Sequence, residues 1–190
     1  MPAVVDGAQR RADVVREATA LVVQGGVGAL SFRSLAKALG CSTTVISHYF
    51  HDKNDVLAET FRHAAAQTME RRNAVLAETG GDLLRAMEAL LPATDEQRRR
   101  WVVWLSFWNA ALFDPALGEE HRLGLAGTRD RLRDYLAARG SEDAEAAATA
   151  ISDALVGISA QALFDPGFWT PERQIETYRR AVRTALGEHP

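Results

Sequence analysis

From Val14 onwards, apolar residues recur three and four positions apart, and nowhere does an alternation of apolar and polar residues last long enough to make a strand. A chain with that period hides its apolar groups by packing helix against helix. Punctuation then sets the lengths: "GGVG" at Gly25–Gly28, Gly40, the pair Gly80–Gly81, Pro92, Asp114–Pro115, Gly140, and "DPGFWTP" from Asp165 to Pro171. Between these breaks the spacing predicts an all-α protein of about nine helices. They span approximately residues 7–24, 32–39, 43–50, 54–79, 82–91, 95–113, 116–139, 142–164 and 171–187. No repeat period is present, and the Ala-rich "EDAEAAATAISDALVG" reads as a helix with small packing residues rather than as low complexity.

With 190 residues and 47% apolar content, the chain can bury a core in one domain or two small ones. The opening "MPAVVDGAQRR" lacks the apolar run of a signal peptide, and the apolar stretch "WVVWLSFWNAALF", Trp101–Phe113, is too short to span a bilayer. The expectation is a folded cytoplasmic protein with no membrane partner. One cysteine, Cys41, excludes an internal disulfide and suits a small buried site. No pair of Glu-x-x-His units, no Gly-rich phosphate loop and no Gly-x-Ser-x-Gly is present. His48 and His51 stand beside Asp52 and Asp55, but no second ligand pair completes a zinc site. No catalytic residue, metal or cofactor is therefore expected. The net charge of −3 means that any surface for nucleic acid must be local.

Such a surface is offered by "SLAKALGCSTTVISHYFHDKNDVL", Ser34–Leu57. Leu35, Ala36 and Leu39 share a face of a short helix, Gly40 permits a sharp turn, Cys41 fills the corner, and Ser42 can cap the next helix. Val45, Ile46, Tyr49 and Phe50 give that second helix its inward side, so Thr43, Thr44, Ser47 and His48 face out. This is the pattern of a helix-turn-helix, and short hydroxyls with one ring suit base edges in a major groove. Spacing alone leaves open a helical hairpin with a solvated polar face.

The segment "FRSLAKALGCSTTVISHYFHDKNDVL", preceded by "RRADVVREATALVVQGGVGALS", resembles the DNA-binding domain of TetR-type repressors over roughly residues 8–60. Within that family "ISHYFHDKNDVL" is most similar to the choline-responsive branch of the betaine pathway. Thr44 stands where many members have Gly and Ser47 where many have Tyr, which bears on the operator sequence rather than on docking. The resemblance implies a DNA-binding domain over 1–53 and a ligand-binding and dimerisation domain over 54–190. It implies that Ser31, Arg33, Tyr49 and Lys53 contact phosphates, beside Ser42, while Thr43, Thr44, Ser47 and His48 reach bases. Up to Phe50, five basic residues (Arg10, Arg11, Arg16, Arg33, Lys37) stand against three acidic (Asp6, Asp13, Glu17), a local +2. So weak a field calls for a homodimer on a palindromic double-stranded operator. In the family the last two long helices pair with their copies. The stripes here are Ile151, Leu155, Ile158 and Ala162, then Tyr178 and Val182, although the chain's own core would use the same pattern.

Trp101, Trp104 and Trp108 share one helical face, with Phe107 off that line and Phe168 further on. They read either as core or as the wall of a ligand cavity with Asn109 and Ser106 as polar handles, which is where the resemblance puts an inducer site. The expected function is a transcriptional repressor released by a small-molecule inducer. Its rival is a ligand-independent architectural DNA-binding protein with a solid aromatic core.

Overall fold

The computed structural model describes residues 3–188, with side chains from Gly7 onwards. Asp6, counted in the local charge, has its side chain outside the described residues. Among the described residues there are nine helices and no strand: α1 Ala3–Ala29, α2 Phe32–Ala38, α3 Thr43–Tyr49, α4 Lys53–Glu78, α5 Leu83–Glu88, α6 Asp95–Ala111, α7 Pro115–Ala137, α8 Ala144–Phe164 and α9 Pro171–Ala185.

Local chemistry places the helix ends. Gly26 takes a φ of 67°, a left-handed geometry that interrupts α1 where the sequence breaks, after which one further turn reaches Ala29. Ser31 and Ser34 cap α2 reciprocally, each hydroxyl accepting the other's backbone N–H, at 3.0 and 2.9 Å. Asp82, Asp143 and Thr170 cap α5, α8 and α9 by accepting the backbone N–H of Arg85, Ala146 and Arg173, and Pro171 opens α9.

The chain forms two compact units. The first runs up to Ala66 and takes in Val102–Leu117; the second holds Gln67–Trp101 and everything from Gly118 on. In the first, Val14, Val22, Leu30, Leu35, Ile46 and Phe50 of the three N-terminal helices and their connections share one core with Val56, Leu57 and Phe61 of α4 and Val103 and Phe107 of α6. That shared burial is why the unit around the helix-turn-helix continues past residue 53. The second core contains Leu83, Met87, Leu91, Leu132, Leu136, Ile151, Leu155, Ile158 and Tyr178.

By length and mean hydropathy alone α8 is apolar enough to cross a membrane. Contiguous apolar runs do not reveal it, because its apolarity is spread over small residues interrupted by Asp153. Its buried face is part of the second core.

Candidate nucleic-acid interface and effector region

In the turn between α2 and α3, Gly40 sits at φ 63° and the Cys41 N–H donates to the Ala36 carbonyl at 2.9 Å. Leu35, Ala36, Ile46 and Phe50 are buried, and Leu39, Cys41, Val45 and Tyr49 half-buried against them. Thr43, Thr44, Ser47 and His48 are all exposed. The Ser47 hydroxyl donates back to the Thr44 carbonyl at 3.1 Å, and the His48 ring stands edge-on to Tyr49, centroids 4.9 Å apart. Ser42 occupies the N-cap position of α3 but its side chain makes no capping bond, contrary to the expectation. Ser31 and Arg33 are exposed at the start of α2, and Lys53, half-buried, is the first residue of α4.

Asp52 Oδ1 accepts from the Asp55 N–H at 2.9 Å, and Asp55 Oδ2 accepts from the His51 N–H at 3.0 Å. The two carboxylates beside the histidines thus start α4.

Arg11 is a residue that spacing could not single out. From α1 it donates through Nη1 to the Tyr49 carbonyl at 2.7 Å, lies over the Phe50 ring at 4.6 Å and faces Glu59 of α4 at 3.7 Å. Its partner is 38 positions away, and only its charge marked it.

Phe107 is fully buried and stacks on Phe61 with centroids 3.7 Å apart, while Trp104 and Phe61 stand edge-to-face with centroids 5.0 Å apart. Phe107 is therefore core, a correction to its place in a cavity wall, because its side of α6 turns onto α4. Trp104 and Trp108 are half-buried against the same core, and Asn109 is exposed. Trp101 and Phe168 belong to the second unit. The Trp101 indole N–H donates to the Leu90 carbonyl at 2.8 Å; Phe168 is exposed under the Arg173 guanidinium, 4.1 Å from its centroid. An open groove of about 470 Å³ in this unit is lined by Arg71, Val75, Arg85, Glu88, Gln97 and Ile175 rather than by rings. Glu88 there binds Arg179 in bidentate fashion at 2.6 and 2.7 Å. Burial, then the charges of Glu88 and Asp82, push the Tyr178 phenol above its ordinary range.

Ile151, Leu155, Ile158, Ala162 and Tyr178 are buried within the single chain, and Val182 is half-buried against them. The first five are the protomer's own core, which corrects their assignment to an interface between copies, while Val182 keeps part of its surface open. The outward stripe of α8 is instead Ala146, Ala150, Asp153, Gly157, Gln161 and Phe164, all exposed. Beside it lies a groove of about 390 Å³ bordered by Ala150, Thr177, Arg180, Ala181 and Thr184.

Two family models match the chain: residues 14–60 match the bacterial regulatory proteins of the tetR family, and residues 81–187 the C-terminal region of BetI-type transcriptional repressors. The HTH-type transcriptional regulator BetI of Pseudomonas aeruginosa is 31% identical over 159 residues, 78% of this chain and 79% of that protein. Its counterpart from Paraburkholderia phymatum is 31% identical over 147 residues, 75% and 73% of the two chains. A transcriptional regulator from Rhodococcus sp. superposes with a TM-score of 0.86 at 25% identity, over 95% of this chain and 98% of that one. A regulator from Saccharomonospora viridis, solved in complex with choline, gives 0.84 at 21% identity over 93% and 96%.

Proposed function

The chain belongs to the TetR family of bacterial transcriptional regulators, with a C-terminal region of the BetI repressor type, and from that membership we propose a homodimer that reads a palindromic operator through α3 and is released by a small molecule. It is a DNA-binding transcriptional repressor and not an enzyme.

The observation that carries the reading is the sidedness of α3. Ile46 and Phe50 anchor it, which leaves Thr43, Thr44, Ser47 and His48 exposed for base edges. Residues 1–53 then act as the DNA-binding domain, with Ser31, Arg33, Ser42, Tyr49 and Lys53 towards the phosphates, and 54–190 carries ligand and partner. Two copies of α3 about 34–36 Å apart would enter successive major grooves. The outward stripe of α8 supports the pairing of copies. Gly157, with open space around its missing Cβ, has no packing reason inside the protomer to be glycine, although glycine weakens a helix interior by about 1 kcal/mol. The place of action is the cytoplasm, where the operator is.

For the inducer we propose a quaternary ammonium compound, because the Saccharomonospora viridis regulator is solved in complex with choline and because α6 carries the half-buried Trp104 and Trp108, a ring type that attracts a cation by about 0.5–2 kcal/mol per contact. Asn109, on the same helix, remains a candidate for that ligand, Trp101 and Phe168 are ring candidates of the second unit taken by itself, and coupling to DNA release would amount to ~1–3 kcal/mol. The solid packing of Phe107 favours a second reading, a ligand-independent DNA-binding protein. Selection of DNA fragments by the purified protein, followed by titration of choline into the selected complex, tests both. Failure to enrich any sequence sinks operator reading; enrichment without release by choline sinks the inducer.

A further inference from the structure

α3 has seven residues, two turns, and cannot hold its own direction in water. Its start is fixed by the Gly40–Cys41 turn and its middle by Ile46 in the core. Its far end is another matter. The last carbonyls of a helix have no donor within it, and here one of them, on Ile46, takes the Phe50 N–H at 3.1 Å. The Tyr49 carbonyl takes Arg11.

We propose that Arg11 is a positioning residue for operator reading: its guanidinium joins α1, the C-terminal end of α3 and α4, and so sets the angle at which Ser47 and His48 meet the bases. Three contacts converge on this one group, a hydrogen bond of 2.7 Å to the Tyr49 carbonyl, a face-on approach of 4.6 Å to Phe50 and an ion pair of 3.7 Å with Glu59. A planar fork with several donors makes all three together, whereas an ammonium is a point charge that cannot. A cation at the C-terminal end of α3 also matches the sign of the helix dipole there. Tyr49 directly follows His48, so a displacement of this end moves the ring offered to the bases. In the sequence Arg11 is marked only as one charge of a weak positive field. With its donors turned to Tyr49 and Glu59, its contribution is geometry rather than attraction for phosphate.

The inference rests on α3 being the reading helix, so the experiment keeps the two apart. The full chain and its Arg11→Met, Arg11→Lys and Thr44→Ala variants are titrated, over a range of salt, with a selected operator duplex and with a scrambled duplex of equal length. For both Arg11 variants operator affinity is expected to fall about tenfold, on the scale of one charge-assisted hydrogen bond. Scrambled-duplex affinity should stay within about twofold and the salt slope unchanged, since no phosphate contact is lost. An equal loss on both duplexes with the slope lowered by about one, restored by Lys, would make Arg11 a phosphate ligand and overturn the proposal. So would an unchanged ratio of the two affinities in both variants. Melting and circular dichroism accompany each titration, and if Arg11→Met does not fold, Arg11→Lys decides alone. Thr44→Ala reports on the reading helix itself: if it alters neither affinity nor preference while the Arg11 variants change the ratio, α3 is misassigned as reader.

Discussion

Asn54 and Asp114, 60 positions apart in sequence, meet at 3.2 Å, the amide of the first donating to Oδ2 of the second. The other oxygen of Asp114 accepts the N–H groups of Ala116 and Leu117 at 3.0 and 3.2 Å, capping α7 with Pro115 at its first position. One carboxylate thus starts α7 and ties that corner to the first turn of α4, beside Lys53. Replacing Asp114 by Ala should lower stability by about 1 kcal/mol, the usual worth of an N-cap, seen as a drop of about 2–4 °C in Tm. Asn54→Ala removes only an exposed amide and should stay within about 0.5 kcal/mol of the parent. Equal losses in the two melts would count against the capping account.

Lys53→Ala should weaken binding to every duplex and reduce the salt slope by about one, as expected for one phosphate contact. Thr44→Ala and His48→Ala should change which sequence is preferred. Binding to a randomised duplex pool, read by sequencing, separates the two effects.

The stacking of Phe107 on Phe61 makes Phe107→Ala a core truncation, expected to cost about 3–5 kcal/mol in denaturant titrations. Asn109→Ala, on the exposed side of the same helix, should stay within about 0.5 kcal/mol. Trp104→Ala is the informative variant: with a ligand at that face, the protein keeps its fold and operator binding but is no longer released by choline. Loss of the fold would place Trp104 with Phe107.

Gly157→Arg and Ala150→Arg place a large charge on the outward stripe of α8 and should yield folded monomers with weakened operator binding. Ile158→Asp buries an unpaired charge in the protomer's core, costs several kcal/mol and should unfold the chain. Sedimentation with circular dichroism tells these outcomes apart. A dimeric Gly157→Arg variant would remove that stripe from the interface.

Burial holds the His121 imidazole below its ordinary pKa. The native state therefore takes up a proton less readily than the unfolded chain. Stability is full above the unfolded value of about 6.5 and is lost as pH falls through it towards the folded value. Denaturant midpoints should drop on acidification, and His121→Asn should flatten that slope.

Much of this architecture is legible in the sequence because helix ends are made by local chemistry. Asp143 and Thr170 with Pro171 start α8 and α9, whose expected and observed ends lie close together, and Gly40 permits the turn between α2 and α3, whereas α1 runs on past Gly26 to Ala29. The outward face of α3 is legible for a related reason, since a two-turn helix with Ile46 inward leaves little choice for Thr43, Thr44, Ser47 and His48. What periodicity cannot say is which apolar face the chain covers with itself. α8 carries one face of Ile and Leu and another of Ala and Gly; the larger side chains gain more from burial and turn inward, so Ile151, Leu155 and Ile158 are core. Phe107, off the line of the tryptophans, is the ring that α4 covers, through Phe61. Arg11 acts across 38 positions on a backbone carbonyl, an interaction that leaves no pattern in the sequence.

The four side chains on the outward face of α3 belong to neither buried cluster. Selection for a stable fold is therefore nearly silent about them, and a lineage can exchange Thr43, Thr44, Ser47 or His48 without weakening the scaffold that presents them. On the proposed reading through α3, operator preference is free to drift with the promoters it serves, and two close descendants of this chain can come to govern different genes while remaining superimposable.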